Sequence, residues 1–251
     1  MGSRFRGNDE PGELRNRTPV SISSRTHVSP MSRPDTPFQL WPLPAAIALL
    51  FVGAAHLALW LSIRDGHVEA CMPVLEGCTS ISRAARHGLG NHVFRLLVLP
   101  CAVLVGLHWW LASRWLRQGW RSVAWLGGIA ALALAVYATF LGTDGEAYRF
   151  MRRYGVVFFF GFGYLAQLRF LQGLRRDARS DAHIVAAMVA VSALMLLLGV
   201  GNVATGALVT DEGLKDRIEN ALEWQLGWLI AAWYLLHAAL WRRVGAKLAF
   251  A

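Results

Sequence analysis

Apolar positions in this chain fall into long blocks divided by short polar runs, with little of the alternation that marks a half-buried strand. Six blocks, at 41–63, 94–114, 123–141, 154–172, 183–204 and 220–241, approach the twenty or so residues that cross a hydrocarbon core. In lipid a helix satisfies its own backbone, so the pattern predicts an all-α fold, an integral membrane bundle of six transmembrane helices. The first 36 residues are rich in Arg, Ser, Pro and Gly and show no apolar period, which predicts a disordered tail ahead of a membrane domain at 37–251. That tail has no apolar segment of the signal-peptide kind, and Met31 stands shortly before the first block. A true start at Met31 is a second reading, which N-terminal sequencing showing Met1 would exclude.

Composition agrees with the pattern: of 251 residues, 55% are hydrophobic and 16% charged. The net charge of +9 suits nucleic acid in principle, but no basic motif with interleaved aromatics occurs, so nucleic acid is not an expected partner. The basic residues instead sit between apolar blocks. Arg114, Arg117 and Arg121, then Arg169, Arg175, Arg176 and Arg179, then Arg242, Arg243 and Lys247 occupy segments with few acids. The alternate segments hold Asp65, Glu69, Glu76, Asp144, Glu146, Asp211, Glu212, Asp216 and Glu219. By the positive-inside rule both termini face the cytoplasm, and the expected location is a bacterial-type inner membrane or a plasma membrane. Cys71 and Cys78 then share one outward loop and form a candidate disulfide, while Cys101 lies in an apolar block and reads as packing.

Polar chemistry concentrates at the predicted outer side. The segment CTSISRAARHGLGNHVFR carries Ser80, Ser82, Arg83, Arg86, His87 and His92. Hydroxyls beside guanidinium groups suit a lipid phosphate, because Arg offers a planar fork of donors; a capped loop anchored among headgroups is the plainer reading. Before the fourth block stand Glu146, Arg149, Arg152 and Arg153. The sixth opens with RIENALEWQLGW, where Glu219 and Glu223 share one helical face beside Asn220 and Trp224. An ionised Glu223 near the membrane boundary needs an inward partner, and Arg153 is the specific expectation. Trp224 suits the aromatic belt. Ser82, Arg83, Arg153, Glu219 and Glu223 are expected to converge.

His56, His108, His183 and His237 lie in or at the ends of blocks, but His56 belongs to the outer half while His183 and His237 fall near cytoplasmic ends. With no H-E-x-x-H and no His pair at i, i+4, neither metal nor cofactor is expected. Glycines at 155, 161, 163, 199, 201 and 206 suit close helix approach. Transport is disfavoured, because the blocks lack paired central charges and visible inverted repeats.

Three stretches give the chain a family likeness. Ser80-Ile81-Ser82 before the second block, RRYGVVFFFGFGYLAQL at the fourth and ENALEWQ, with Glu223 and Trp224, at the sixth together resemble the Frag/DRAM/Sfk-type family of six-span membrane proteins. That family includes the damage-regulated autophagy modulators and a factor that remodels GPI-anchor lipids. Arg152 stands where its members carry His ahead of Gly155. The resemblance implies a lipid-related or regulatory role with membrane lipids as partners. It brings no defined catalytic set; protein partners and oligomeric state are not legible in the chain. The expected function is a non-catalytic polar cluster that recognises a lipid headgroup or stabilises the bundle. The alternative is a membrane-embedded lipid-modifying enzyme using Glu223 as acid and base, which requires a cavity with a nucleophile or metal; a haem or redox protein ranks below both.

Overall fold

The computed structural model describes residues 38–116, 121–143, 145–175 and 181–248; the tail at 1–36 and the question of its start lie outside them. In chain order the elements are β1 (Phe38–Gln39), α1 (Pro42–Arg64), α2 (Pro73–Glu76), α3 (Ile81–Ala84), α4 (Gly88–Trp115), α5 (Arg121–Phe140), α6 (Glu146–Leu174), α7 (Ala182–Leu208), α8 (Glu212–Arg243) and β2 (Lys247–Leu248). Five helices, α1, α4, α5, α6 and α7, are long and apolar enough to cross a membrane. The protein is thus a multi-pass, mainly helical membrane protein. Helix α8 is not in that set, since its apolar block includes Trp224, Gln225, Trp228, Tyr234 and His237, which dilute its hydropathy.

Helices α7 and α8 start ahead of their apolar blocks at side-chain caps, whereas α4 and α6 do so without one. Asp211 accepts from the Leu214 amide at 2.7 Å and starts α8 at Glu212. Asp181 accepts from the His183 and Ile184 amides and starts α7, which satisfies donors that no helical carbonyl reaches. At the other end of α8 the chain turns at Gly245, with φ of 63°, and β2 pairs antiparallel with β1. The strand before the first long helix and the strand after the last therefore lie side by side.

The six long helices form a closed circuit in which each packs on its chain neighbour and α8 returns to α1; the seam between α6 and α7 is the sparsest. Without a hydrophobic force between helices in lipid, close packing holds such a bundle together. Gly155 is one close approach: a Cβ there would lie 3.1 Å from the Ala133 carbonyl oxygen and 3.0 Å from Tyr137 Cβ. Gly127, which the sequence pattern did not single out, seats the Trp109 ring where a methyl would overlap it. Gly161, Gly199 and Gly201 behave otherwise than expected, with nothing within 4 Å of where their Cβ would be, so they are not packing positions.

Toward the β1–β2 end the core is aromatic. His108, Trp109, Trp233, His237 and Trp241 are all fully buried. His108 and His237 lie ring to ring at 4.7 Å, and His237 also meets Phe170 at 4.3 Å and Trp241 at 4.4 Å. The pairing of His108 with His237 corrects the sequence reading, which compared depths without matching these two. Two imidazoles on one iron would need their nitrogens about 4 Å apart across the metal, from bonds of roughly 2 Å. Rings in edge contact at 4.7 Å leave no room for a macrocycle between them.

Candidate functional site

The opposite end of the bundle holds the polar cluster, and it is assembled around the loop between α1 and α4. Cys71 and Cys78 are joined by a disulfide with their Cα atoms 6.6 Å apart. Within that loop Gly77 adopts φ of 63° and lies directly against the Arg217 backbone, where any side chain would collide. The first turns of α8 then hold the loop by three side chains. Asn220 Nδ2 donates to the Gly77 carbonyl at 2.9 Å, Trp224 Nε1 to the Thr79 carbonyl at 2.9 Å and Gln225 Nε2 to the Val74 carbonyl at 3.1 Å. Trp224 is only 1% exposed. The aromatic-belt reading of Trp224 is therefore corrected: burying the indole beneath the loop gives its N–H a carbonyl partner, which an interfacial ring would seek from headgroups or water.

Two further residues of the cluster are committed to structure. Ser80 caps α3, its hydroxyl accepting from the Arg83 amide at 3.1 Å. Arg83 forms a two-pronged pair with Asp216 at 2.6 and 2.7 Å. The hydrogen bond and charge of Arg83 hold the Asp216 carboxyl below the usual range, against the opposing effect of partial burial. Glu219 faces α7, its Oε1 lying 3.7 Å from where a Gly206 Cβ would be, and is within reach of the Arg83 charge.

Glu223 turns to Ser82. Its Oε1 accepts from the Ser82 amide at 3.1 Å and from Ser82 Oγ at 3.0 Å. Tyr137 of α5 meets the same Ser82 Oγ at 2.9 Å. The expected Arg153–Glu223 contact does not form: among the described residues Glu223 bonds to Ser82, and the cations acting on it are Arg83 and Arg86. Ser82 meets Glu223 across 141 positions, a separation no local spacing signals, and Tyr137 was missed because a lone Tyr in an apolar block looks like packing.

Two spaces meet at this triad. One is a narrow, mainly apolar cleft between α1, α4, α5, α6 and α8, about 700 Å³ with its open part, walled among others by Phe51, Phe94, Phe159, Trp228, Tyr137 and Glu223. The other is an open basin, about 1280 Å³ with its open part, lined by Ser82, Tyr137, Arg86, Arg149, Arg152 and Arg153. Tyr137 and Val156 belong to both walls.

Among the described residues the lining of the basin holds no carboxylate. Arg149 pairs with the exposed Glu146 at 3.6 Å, and Arg152 donates to the Thr143 carbonyl. Arg86 has its Nε buried with no hydrogen-bond partner among the described residues. Burial, and then the positive charges of Arg152 and Arg83, hold the Arg86 guanidinium below its ordinary value. Arg86 as a whole is only half-buried, so solvent screens part of its charge and an anion in the basin can meet the rest. No group of three or more His, Cys, Asp or Glu able to hold a metal occurs among the described residues.

Comparisons of the chain with protein-family models, with curated proteins and with solved structures find no match.

Proposed function

We propose that this is a six-pass membrane protein of the Frag/DRAM/Sfk type that recognises an anionic lipid from the outer leaflet of a bacterial-type inner membrane or a plasma membrane. The adjoining of an arginine-rich basin, with no carboxylate among the described residues of its lining, and an apolar cleft, with Tyr137 and Val156 in both walls, carries the reading. A phospholipid has this division, with its phosphate in the basin and one chain in the cleft. Lipid tails gain little by moving from bilayer to protein, since both are apolar. Selectivity therefore rests on the headgroup and on guanidinium forks that match phosphate oxygens.

Six passes and cytoplasmic termini are supported by the pairing of β1 with β2. Strands that flank the bundle and lie together call for an even number of crossings between them, and α8, 32 residues and so about 48 Å long, exceeds a 30 Å core. The basic residues at the β1–β2 end, with Arg243 held to Asp181 at 3.0 Å, favour that end as cytoplasmic. The disulfide then lies on the side where disulfides persist.

Bundle stabilisation, the plainer expectation, accounts for Ser80, Arg83, Asn220 and Trp224, whose polar groups are already partnered. It leaves Arg86 unexplained. Native mass spectrometry of gently extracted protein tests the proposal, with anionic phospholipid expected to be retained over a zwitterionic one. The Arg86→Gln, Arg152→Gln double variant should lose that preference at least tenfold, since a hydrogen bond to a charged group contributes about 1.5–3 kcal/mol. Equal retention of the two lipids, or an unchanged preference in the variant, would contradict it.

A further inference from the structure

Between the basin and the cleft, where a bound phospholipid would carry the ester that joins headgroup to chain, stands Ser82. Its Oγ donates to Glu223 Oε1 at 3.0 Å. A hydroxyl with its one proton given to a carboxylate can only accept from Tyr137, so the 2.9 Å contact runs from the Tyr137 O–H to Ser82 Oγ. The result is a short chain of hydrogen bonds directed at Glu223. A hydroxyl within bonding reach of a carboxylate base is the pairing that activates a serine nucleophile. A clasp for the loop needs only the Ser82 amide, which Glu223 already holds at 3.1 Å. Tyr137 Oη and Arg86 on the adjoining wall are extra to that task.

We propose that Ser82 is the nucleophile of an acyl transfer from ester-linked anionic lipids, with Glu223 as its general base. This rests on the lipid reading above for its substrate class. Ser82 Oγ adds to the ester carbonyl carbon while its proton passes to Glu223. Arg86, which lines the same basin as Ser82 and whose Nε has no partner among the described residues, is the cation for the alkoxide that forms. Collapse breaks the bond to the glycerol oxygen, which takes the proton from Glu223 and leaves as a lysolipid, and the acyl group remains on Ser82. Water, or a hydroxyl-bearing acceptor from the membrane, then adds to the acyl-serine with Glu223 again receiving the proton. The released Ser82 oxygen takes that proton back, leaving a fatty acid or a transferred ester.

The test uses the full chain in lipid nanodiscs with a fluorophosphonate probe, which phosphonylates an activated serine with loss of fluoride and needs no bound lipid. Intact mass and peptide mapping are expected to find one adduct, on Ser82, formed at least a hundredfold more slowly in Glu223→Gln, the lower end of what a general base supplies. In parallel, an ester-linked phosphatidylglycerol and its ether-linked analogue should be retained alike, with only the ester yielding fatty acid or a new ester. Retention of both lipids with no Ser82 adduct and no ester consumed would overturn the acyl transfer and leave the lipid reading standing. A Ser82 adduct formed at the same rate in Glu223→Gln would overturn the role of Glu223. Labelling of Ser82 with retention of neither lipid would overturn the substrate class alone.

Discussion

Arg83 and Arg86 stand one helical turn apart in the sequence and have opposite surroundings. Arg83 is neutralised by Asp216 in a two-pronged pair, while Arg86 keeps a buried Nε with no partner among the described residues. Nothing in the local sequence separates them, because the partner of Arg83 lies 133 residues away. The Arg83–Asp216 pair makes a prediction with a definite sign. Asp216 is held below its ordinary value when folded. Its stabilising contribution is therefore fully present above the unfolded pKa of about 3.9 and is lost as pH falls through the lower folded value. Both side chains are nearly half exposed, so the contribution is limited to about 0.2–1 kcal/mol by solvent screening. Thermal unfolding of the wild type and of Asp216→Asn should differ by that amount at pH 6, and the gap should close in acid below about pH 4. A gap unchanged down to pH 2 would show that the pair does not act through ionised Asp216.

Helix α8 shows how one element serves two ends of the bundle. Its first turns hold the disulfide loop by Asn220, Trp224 and Gln225, and its later turns supply Trp233, His237 and Trp241 to the aromatic core. Its helical character was legible from the apolar block at 220–241, whereas its 32-residue length was not, because the added turns are polar and depend on the Asp211 cap. Glycine roles were legible only in part. A stripe of small residues is visible in sequence, but which of them faces a neighbour depends on helix rotation. That difference separates Gly127 from Gly161. Gly127→Ala forces a methyl into the Trp109 ring and should destabilise by about 1–3 kcal/mol, as overpacking does. Gly161→Ala meets nothing within 4 Å and should be neutral or stabilising by up to about 1 kcal/mol through helix propensity. Unfolding of the two variants in the same detergent checks the contrast, and equal effects would contradict it.

At the scale of the whole molecule, the chain makes a circuit of six long helices whose two ends carry different chemistry. The β1–β2 end is aromatic inside and basic at its rim; the disulfide end has a polar triad between an apolar cleft and an arginine basin. The number of long helices could be read from the blocks, since each block needs its own length of apolar chain. The site could be read as a list of residues but not as a division of labour. Ser82, Tyr137 and Glu223 come from α3, α5 and α8, far apart in the chain, and only folding selects Ser82 over Arg153 as the partner of Glu223. The central claim is that a lipid lies across the triad with one chain in the cleft. Photocrosslinking tests it most directly, using a phosphatidylglycerol with a diazirine near the start of one acyl chain, in nanodiscs of otherwise zwitterionic lipid. Crosslinks are expected on cleft residues such as Phe51, Phe159 and Trp228, and should fall at least tenfold in the Arg86→Gln, Arg152→Gln variant. Crosslinks confined to outward-facing residues such as Val200 and Val203, and indifferent to the two arginines, would contradict it.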